Sequence, residues 1–321
     1  MSEILNPALE TVNDEIARIE NLNKKSWYMN TNEPHPLVAM SVTDVGSPRD
    51  SGALRTELAG NMSSMYGDKS LPQDQRLQLE SDNVENFLVS LNIDPKKTTI
   101  VRPQSSYDNG LNSICLDDSL TDKNINGTSK LQEPADLVYT FNPDTVLAIK
   151  PADCPIIVTN AITMEGSPML IMTHIPWRGA EAGHVENMLE KFKELNINSD
   201  SIRMYISGGA RKESYPFTIS HDNWINLKHK ELAGDKVENS DGSVSFGMDM
   251  QGLIRKTLNG AGIDDYQIFE DTSDTGRIDS GYSSHGRAKR SLSTDYPEVN
   301  TRSMFVATMA NKDNVVTRDN I

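Results

Sequence analysis

The chain is 321 residues long with a formal net charge of −15 and an isoelectric point near 4.8, room for one large or two ordinary domains with a sizeable core. That charge has the wrong sign for gripping a nucleic acid duplex or an anionic membrane surface. No apolar run approaches the roughly 18–20 residues of a membrane span, and the start, MSEILNPALETVNDE, is acidic where a signal or transit peptide is basic. Two cysteines, Cys115 and Cys154, exclude a multi-bridge disulfide framework and a four-thiolate zinc site. Together these features predict a soluble, cytoplasmic protein with free thiols, without nucleic acid or membrane as partner; a homo-oligomer is left open.

In chain order, Leu9, Val12, Ile16, Ile19 and Leu22 recur at three- and four-residue steps and predict an amphipathic helix within an N-terminal extension, 1–35. PLVAMSVT (36–43) predicts a strand, and the Gly- and Ser-rich run to about 75 a loop. Residues 76–92 predict a helix and TTIVRP (98–103) a short strand. The stretch 104–134 is poor in apolar residues and predicts a long polar excursion. Strands follow at 136–141, 145–150, 154–160 and 168–174, the densest apolar region and the expected centre of a sheet. A helix over 180–195, a strand at 201–207, helices near 222–232 and 248–260, and strands at 266–271 and 304–309 complete the pattern. With no repeat and no dividing linker, the expected fold is a single-domain α/β sandwich spanning 36–310, with a mixed, partly antiparallel central sheet, flanking helices and a polar tail at 311–321.

The strands 154–160 and 168–174 are joined by AITMEGS, short enough for an antiparallel hairpin turning near Met164–Gly166. Pairing 160 with 168 sets Cys154 opposite His174, on one face. Pro155 favours an extended Cys154. Trp177-Arg178-Gly179 follows, leading into a helix whose first N–H groups, with Arg178, offer a seat for an anion. Cys154 and His174 thus combine a nucleophile or metal ligand with a base or second ligand.

The spellings PADCPIIV (151–158), THIPWRGAEAGHVENMLEKF (173–192) and SGGARKESYPF (207–217) resemble the multicopper-polyphenol-oxidase-like, or laccase-domain, family of purine nucleoside enzymes. The 20-residue spacing from Cys154 to His174, with Trp-Arg-Gly behind it, is the specific part. The resemblance implies an α/β sandwich that binds zinc through two His and one Cys. It also implies phosphorolysis of adenosine, inosine and methylthioadenosine, with phosphate as co-substrate, and deamination of adenosine.

Carried across, Cys154 and His174 match two ligands, and the third falls on the segment Gln104-Ser105-Ser106-Tyr107, where Ser106 stands in place of a His. The family's Asn-Arg pair becomes Asn83-Val84, its Gly-Trp-Arg-Gly becomes Pro176-Trp177-Arg178-Gly179, and its late Cys-Thr aligns with Asp271-Thr272. The proline after the cysteine comes one residue early, at Pro155. Trp177, Arg178, Ser106 and Asn83 are the implied substrate- or anion-binding residues, and Cys154 and His174 the implied catalytic and zinc-binding ones. The residues implied to border the site further along are His285, Arg287 and Arg290.

Two ligands hold a catalytic zinc poorly; one reading is that Cys115, Asp153, His184 or a carboxylate of 104–134 supplies a replacement donor. The alternatives are a metal-free Cys154–His174 thiol hydrolase and a catalytically impaired relative that binds nucleoside or protein. GYSSHG (281–286) lacks the context of a nucleophile elbow, SGGARK (207–212) predicts a tight turn, and His35 and His221 predict solvated or capping roles. The copper in the family's older name has no matching set of ligands in this sequence.

Overall fold

The computed structural model describes residues 37–40, 72–104, 111–116, 118–124, 127–214, 216–277 and 302–309. The expected N-terminal helix within 1–35, the tail 311–321, Ser106, His35, and the 281–290 residues lie outside the described residues. The chain opens with β1 (Leu37–Met40), α1 (Gln73–Ser90), β2 (Thr98–Ile100), β3 (Ser113–Cys115), β4 (Thr121–Lys123) and β5 (Ser129–Leu131). It continues through β6 (Leu137–Thr140), β7 (Val146–Ile149), β8 (Ile156–Ile162), β9 (Pro168–His174), α2 (Trp177–Glu181), α3 (His184–Glu194) and β10 (Arg203–Ile206). The remaining elements are β11 (Pro216–Ser220), α4 (His221–Ile225), β12 (Val237–Glu238), β13 (Ser243–Gly247), α5 (Met250–Gly260), β14 (Ile268–Glu270) and β15 (Phe305–Thr308).

Two six-stranded mixed sheets stack on each other, ordered β1-β15-β7-β2-β5-β4 and β14-β10-β8-β9-β6-β3. Strand periodicity explains the layers, because alternate residues point to opposite faces. Leu147, Ile149 and Phe305 of the first sheet meet Ile156, Val158, Leu170 and Met172 of the second in the central core. Val146, Ala148 and Val306 turn outward onto Val84, Phe87 and Leu88 of α1. Ile157, Met169, Ile171 and Met204 turn the other way onto α3 and α5. The result is an α/β sandwich with helices on both outer faces, as the sequence predicts. Among the described residues no helix is long and apolar enough to cross a membrane.

Three local expectations differ. The 104–134 stretch is not all loop: β3 pairs parallel with β6, and β5 lies parallel to β2 and antiparallel to β4. Each of these strands is three residues long, so periodicity has too little to work on. The 180–195 helix is two helices, because Gly183 enters the left-handed region at φ +86°. The expected 222–232 helix stops at Ile225, beside a small sheet, β11-β13-β12, that the apolar pattern does not announce.

Helix α1 is fixed to the first sheet by the apolar contact and by an ion pair from Lys150, just past β7, to Glu80. Their side chains are only 17% and 23% exposed, so water screens the pair weakly. Burial draws the Lys150 ammonium below its ordinary pKa, and the Glu80 carboxylate opposes the shift. Glu80→Gln leaves that ammonium without its counter-charge and is expected to cost about 1–3 kcal/mol in urea unfolding. Glu80→Leu combined with Lys150→Met should recover most of the loss. A cost below about 0.5 kcal/mol would place the pair with ordinary surface ion pairs.

Candidate functional site

Sheet order brings the site together. Strand β9 lies between β8 and β6 and runs antiparallel to both, so its C-terminal end sits beside their N-terminal ends. His174 closes β9, Asp136 stands immediately before β6, and Cys154-Pro155 immediately precede β8. Leu137 pairs with Thr173, which sets Asp136 opposite His174, and the His174 N–H donates to the Asp136 carbonyl at 2.7 Å. On the other side Ile156 pairs with His174, and the Ile175 N–H donates to the Pro155 carbonyl at 3.0 Å.

The hairpin turns where the sequence places it, with the Gly166 N–H on the Thr163 carbonyl at 2.9 Å and Gly166 at φ +89°. Its register differs by two residues: Asn160 pairs with Leu170 and Ile162 with Pro168. A five-residue connection, not seven, closes the turn. An even shift leaves every side chain on its original face. Cys154 therefore stays on the face of His174, two residues ahead of the residue directly opposite it.

The His174 ring is buried between two partners. Its Nδ1 lies 2.9 Å from Asp136 Oδ1, and its side chain is also hydrogen-bonded with the Cys154 thiol. Burial works against the charged ring, but the Asp136 hydrogen bond and the Cys154 contact outweigh it, and the His174 pKa is pushed up to about 9. With Nδ1 committed to the carboxylate, Nε2 is left for the thiol, a substrate or a metal. Asp136 is almost wholly buried, and its Oδ1 also accepts the Gln104 N–H at 3.1 Å. Gln104, the first residue of the segment aligned with the missing His, is thus tied to the carboxylate that holds His174. His184, fully buried, sets its Nδ1 3.8 Å from Asp136 Oδ2.

Asp136 is the residue that sequence reasoning missed. The available signal was a lone carboxylate opening an otherwise apolar strand, Ala135-Asp136-Leu137-Val138. Other candidates occupy different places. Trp177 packs its ring against Phe217 and Phe246, with centroids 5.1 and 5.7 Å away, in an aromatic cluster under the small sheet. Arg178 is exposed at the start of α2. Asn83 rides on α1, over the outer face of the first sheet.

Among the proposed replacement donors, Cys115 is exposed and pairs with Tyr139, three residues along β6 from Asp136, roughly 10 Å away at strand spacing. Asp153 accepts a hydrogen bond from the Thr275 hydroxyl at 3.0 Å, tying down the turn after β14. The Gly208-Gly209 turn backs the site from behind: a Cβ at Gly209 would lie 2.8 Å from Pro155 Cγ. Cys154 and His174 have the sulfur and nitrogen donors zinc prefers, and Asp136 is the usual type of support for a metal-bound imidazole. The described residues contain no group of three His, Cys, Asp or Glu able to hold a metal ion.

The coupling of Asp136 to His174 is directly measurable. In Asp136→Asn the largest opposing influence to burial is gone, and the His174 ring should titrate more than about one pH unit lower than in the parent protein. Proton NMR of the His174 ring reads this. An unchanged titration would mean that the carboxylate does not hold the ring.

Comparison with known proteins agrees with this architecture. The family described as multi-copper polyphenol oxidoreductase laccase matches residues 75–293, more than half of the chain. The fold is similar to that of the hypothetical protein YfiH from Bacillus licheniformis, with a TM-score of 0.60, 17% identity, and coverage of 87% of this chain and 98% of that one. YlmD from Geobacillus stearothermophilus gives 0.60, 15%, 89% and 100% on the same measures. A Neisseria meningitidis protein gives 0.56, 15%, 88% and 99%. No match was found among curated proteins. With its model matched over the strands and helices that assemble Asp136, Cys154 and His174, the chain belongs to the multi-copper polyphenol oxidoreductase laccase family.

Proposed function

We propose that the chain acts on purine nucleosides, with Cys154, His174 and Asp136 as its chemical centre. The observation that carries this reading is the seating of His174 between the Asp136 carboxylate and the Cys154 thiol at the C-terminal end of β9. Phosphorolysis joins a phosphate oxygen to the ribose C1′, breaks the glycosidic bond and requires a proton at the departing purine. A fixed imidazole whose Nδ1 is spoken for can hold or pass that proton at Nε2. Arg178, exposed at the start of α2, supplies a guanidinium for the phosphate. Ser106 enters as a further polar contact to substrate, following the family resemblance. No step is routed through a metal.

Purified protein is expected to release purine base from adenosine, inosine or methylthioadenosine in the presence of phosphate, or inosine from adenosine. His174→Ala and Cys154→Ala should each lower kcat/KM by about 100-fold or more. Nucleoside binding without turnover in any of these assays would favour a catalytically impaired binding relative.

The order thiol, imidazole, carboxylate favours a second reading, a metal-free thiol hydrolase. A covalent acyl group on Cys154 after exposure to an activated ester, formed equally well with a chelator present, would support it. Zinc is tested separately by Ser106→His. If that segment reaches Cys154 and His174, the substitution adds a third donor, and calorimetric zinc affinity should rise by well over 100-fold. Equal affinity in both proteins would mean that the 104–107 segment is aligned wrongly or that another donor already serves.

A further inference from the structure

Asp136 has two carboxylate oxygens, and the contacts of the site use only one. Oδ1 accepts from the Gln104 N–H and faces His174 Nδ1. Oδ2 is equally buried and has no hydrogen-bond partner among the described residues. Facing it is Nδ1 of His184, at 3.8 Å, the first residue of α3. A buried carboxylate oxygen without a donor is costly, and the His184 ring nitrogen stands just outside hydrogen-bond reach of it. A carboxylate held on one oxygen can still turn about its own bond. Held on both, its plane is fixed, and with it the direction in which Oδ1 meets His174.

The setting of His184 is equally specific. Its ring is wedged against Gly179, where an added Cβ would lie 2.4 Å from His184 Nδ1 and 2.6 Å from Cε1. Any residue larger than glycine at 179 therefore has to displace the ring. Gly183, at φ +86°, breaks the path between α2 and α3 and lets His184 turn inward as the new helix begins. Two glycines and a full burial are spent on one polar ring beside one carboxylate.

We infer that His184 is a positioning residue: it fixes the second oxygen of Asp136 and, through Asp136, the ring of His174, while Gly179 supplies the space it occupies. The inference rests on the reading of Asp136, His174 and Cys154 as one chemical centre. His184 touches no reacting atom itself.

The test reads Cys154 directly. In a Cys115→Ser background Cys154 is the single thiol, and its alkylation by iodoacetamide at fixed pH reports how His174 is held against it. His184→Leu, which removes the donor, should slow alkylation about three- to tenfold, below the roughly 10–100-fold seen when an immediate partner of a site residue is lost. His184→Asn carries an amide nitrogen where Nδ1 stands and should stay within about twofold of the parent. Gly179→Ala should behave as His184→Leu does, and adding His184→Ala to it should restore thermal stability without restoring the rate. A purely structural role would move Leu and Asn variants alike, in rate and in melting temperature, and that result overturns the inference, as does a rate unaffected by any of the four changes. Should His184→Leu fail to fold, the contrast between His184→Asn and Gly179→Ala decides in the same way. Alkylation needs no substrate, so absent nucleoside turnover would defeat the proposed function while this test still stands or falls by itself.

Discussion

The contact between Asp136 and His174 is the constraint on which the rest of the site depends. It exists because β9 lies between two antiparallel neighbours, so that three chain segments far apart in sequence end in one row. The backbone ladder runs one step past β6 to join His174 to Asp136, and the side chains then meet at 2.9 Å on the same face. Gln104 brings the first sheet to the same carboxylate. Asp136 is thus a junction between the two layers of the sandwich as well as the partner of His174. A one-residue slip of β8 or β6 against β9 would put one member on the wrong face, and the fully buried apolar residues of these strands make such a slip expensive.

Much of this was legible because the central strands are long and apolar. The run from Pro168 to His174 matches β9 residue for residue, and the Cys154 and His174 pair follows from the hairpin even though its register is two residues off. The error did no harm because strand side chains alternate with a period of two. Less was legible where elements are short. β3, β4 and β5 have three residues each and owe their existence to pairing, β3 with β6, β5 with β2 and β4 with β5, which no local pattern records. The same holds for the small sheet that covers Trp177, whose ring is fixed by Phe217 and Phe246 from segments 40 and more residues away.

Buried polar residues were the hardest to see. Asp136 and His184 look ordinary in sequence, the one as a carboxylate before a strand and the other as a helix residue on an apolar face. Their proximity depends on the break at Gly183, which sets the start of α3 against the end of the second sheet. Asp153, next to the cysteine, has a structural task that the sequence does not announce: its side chain holds the Thr275 turn in place. Of the segment that the family pattern assigns to a third ligand, Gln104 is bonded to the carboxylate behind His174.

The central claim is that Cys154, His174 and Asp136 act as one unit. A double-mutant cycle on nucleoside turnover tests it most directly, with Cys154→Ala, Asp136→Asn and the two combined compared by kcat/KM. Residues that work as a unit are strongly non-additive, so the double variant should be no worse than the poorer single variant, within about threefold. Losses that multiply in full would show that the thiol and the carboxylate act independently, and would contradict the account.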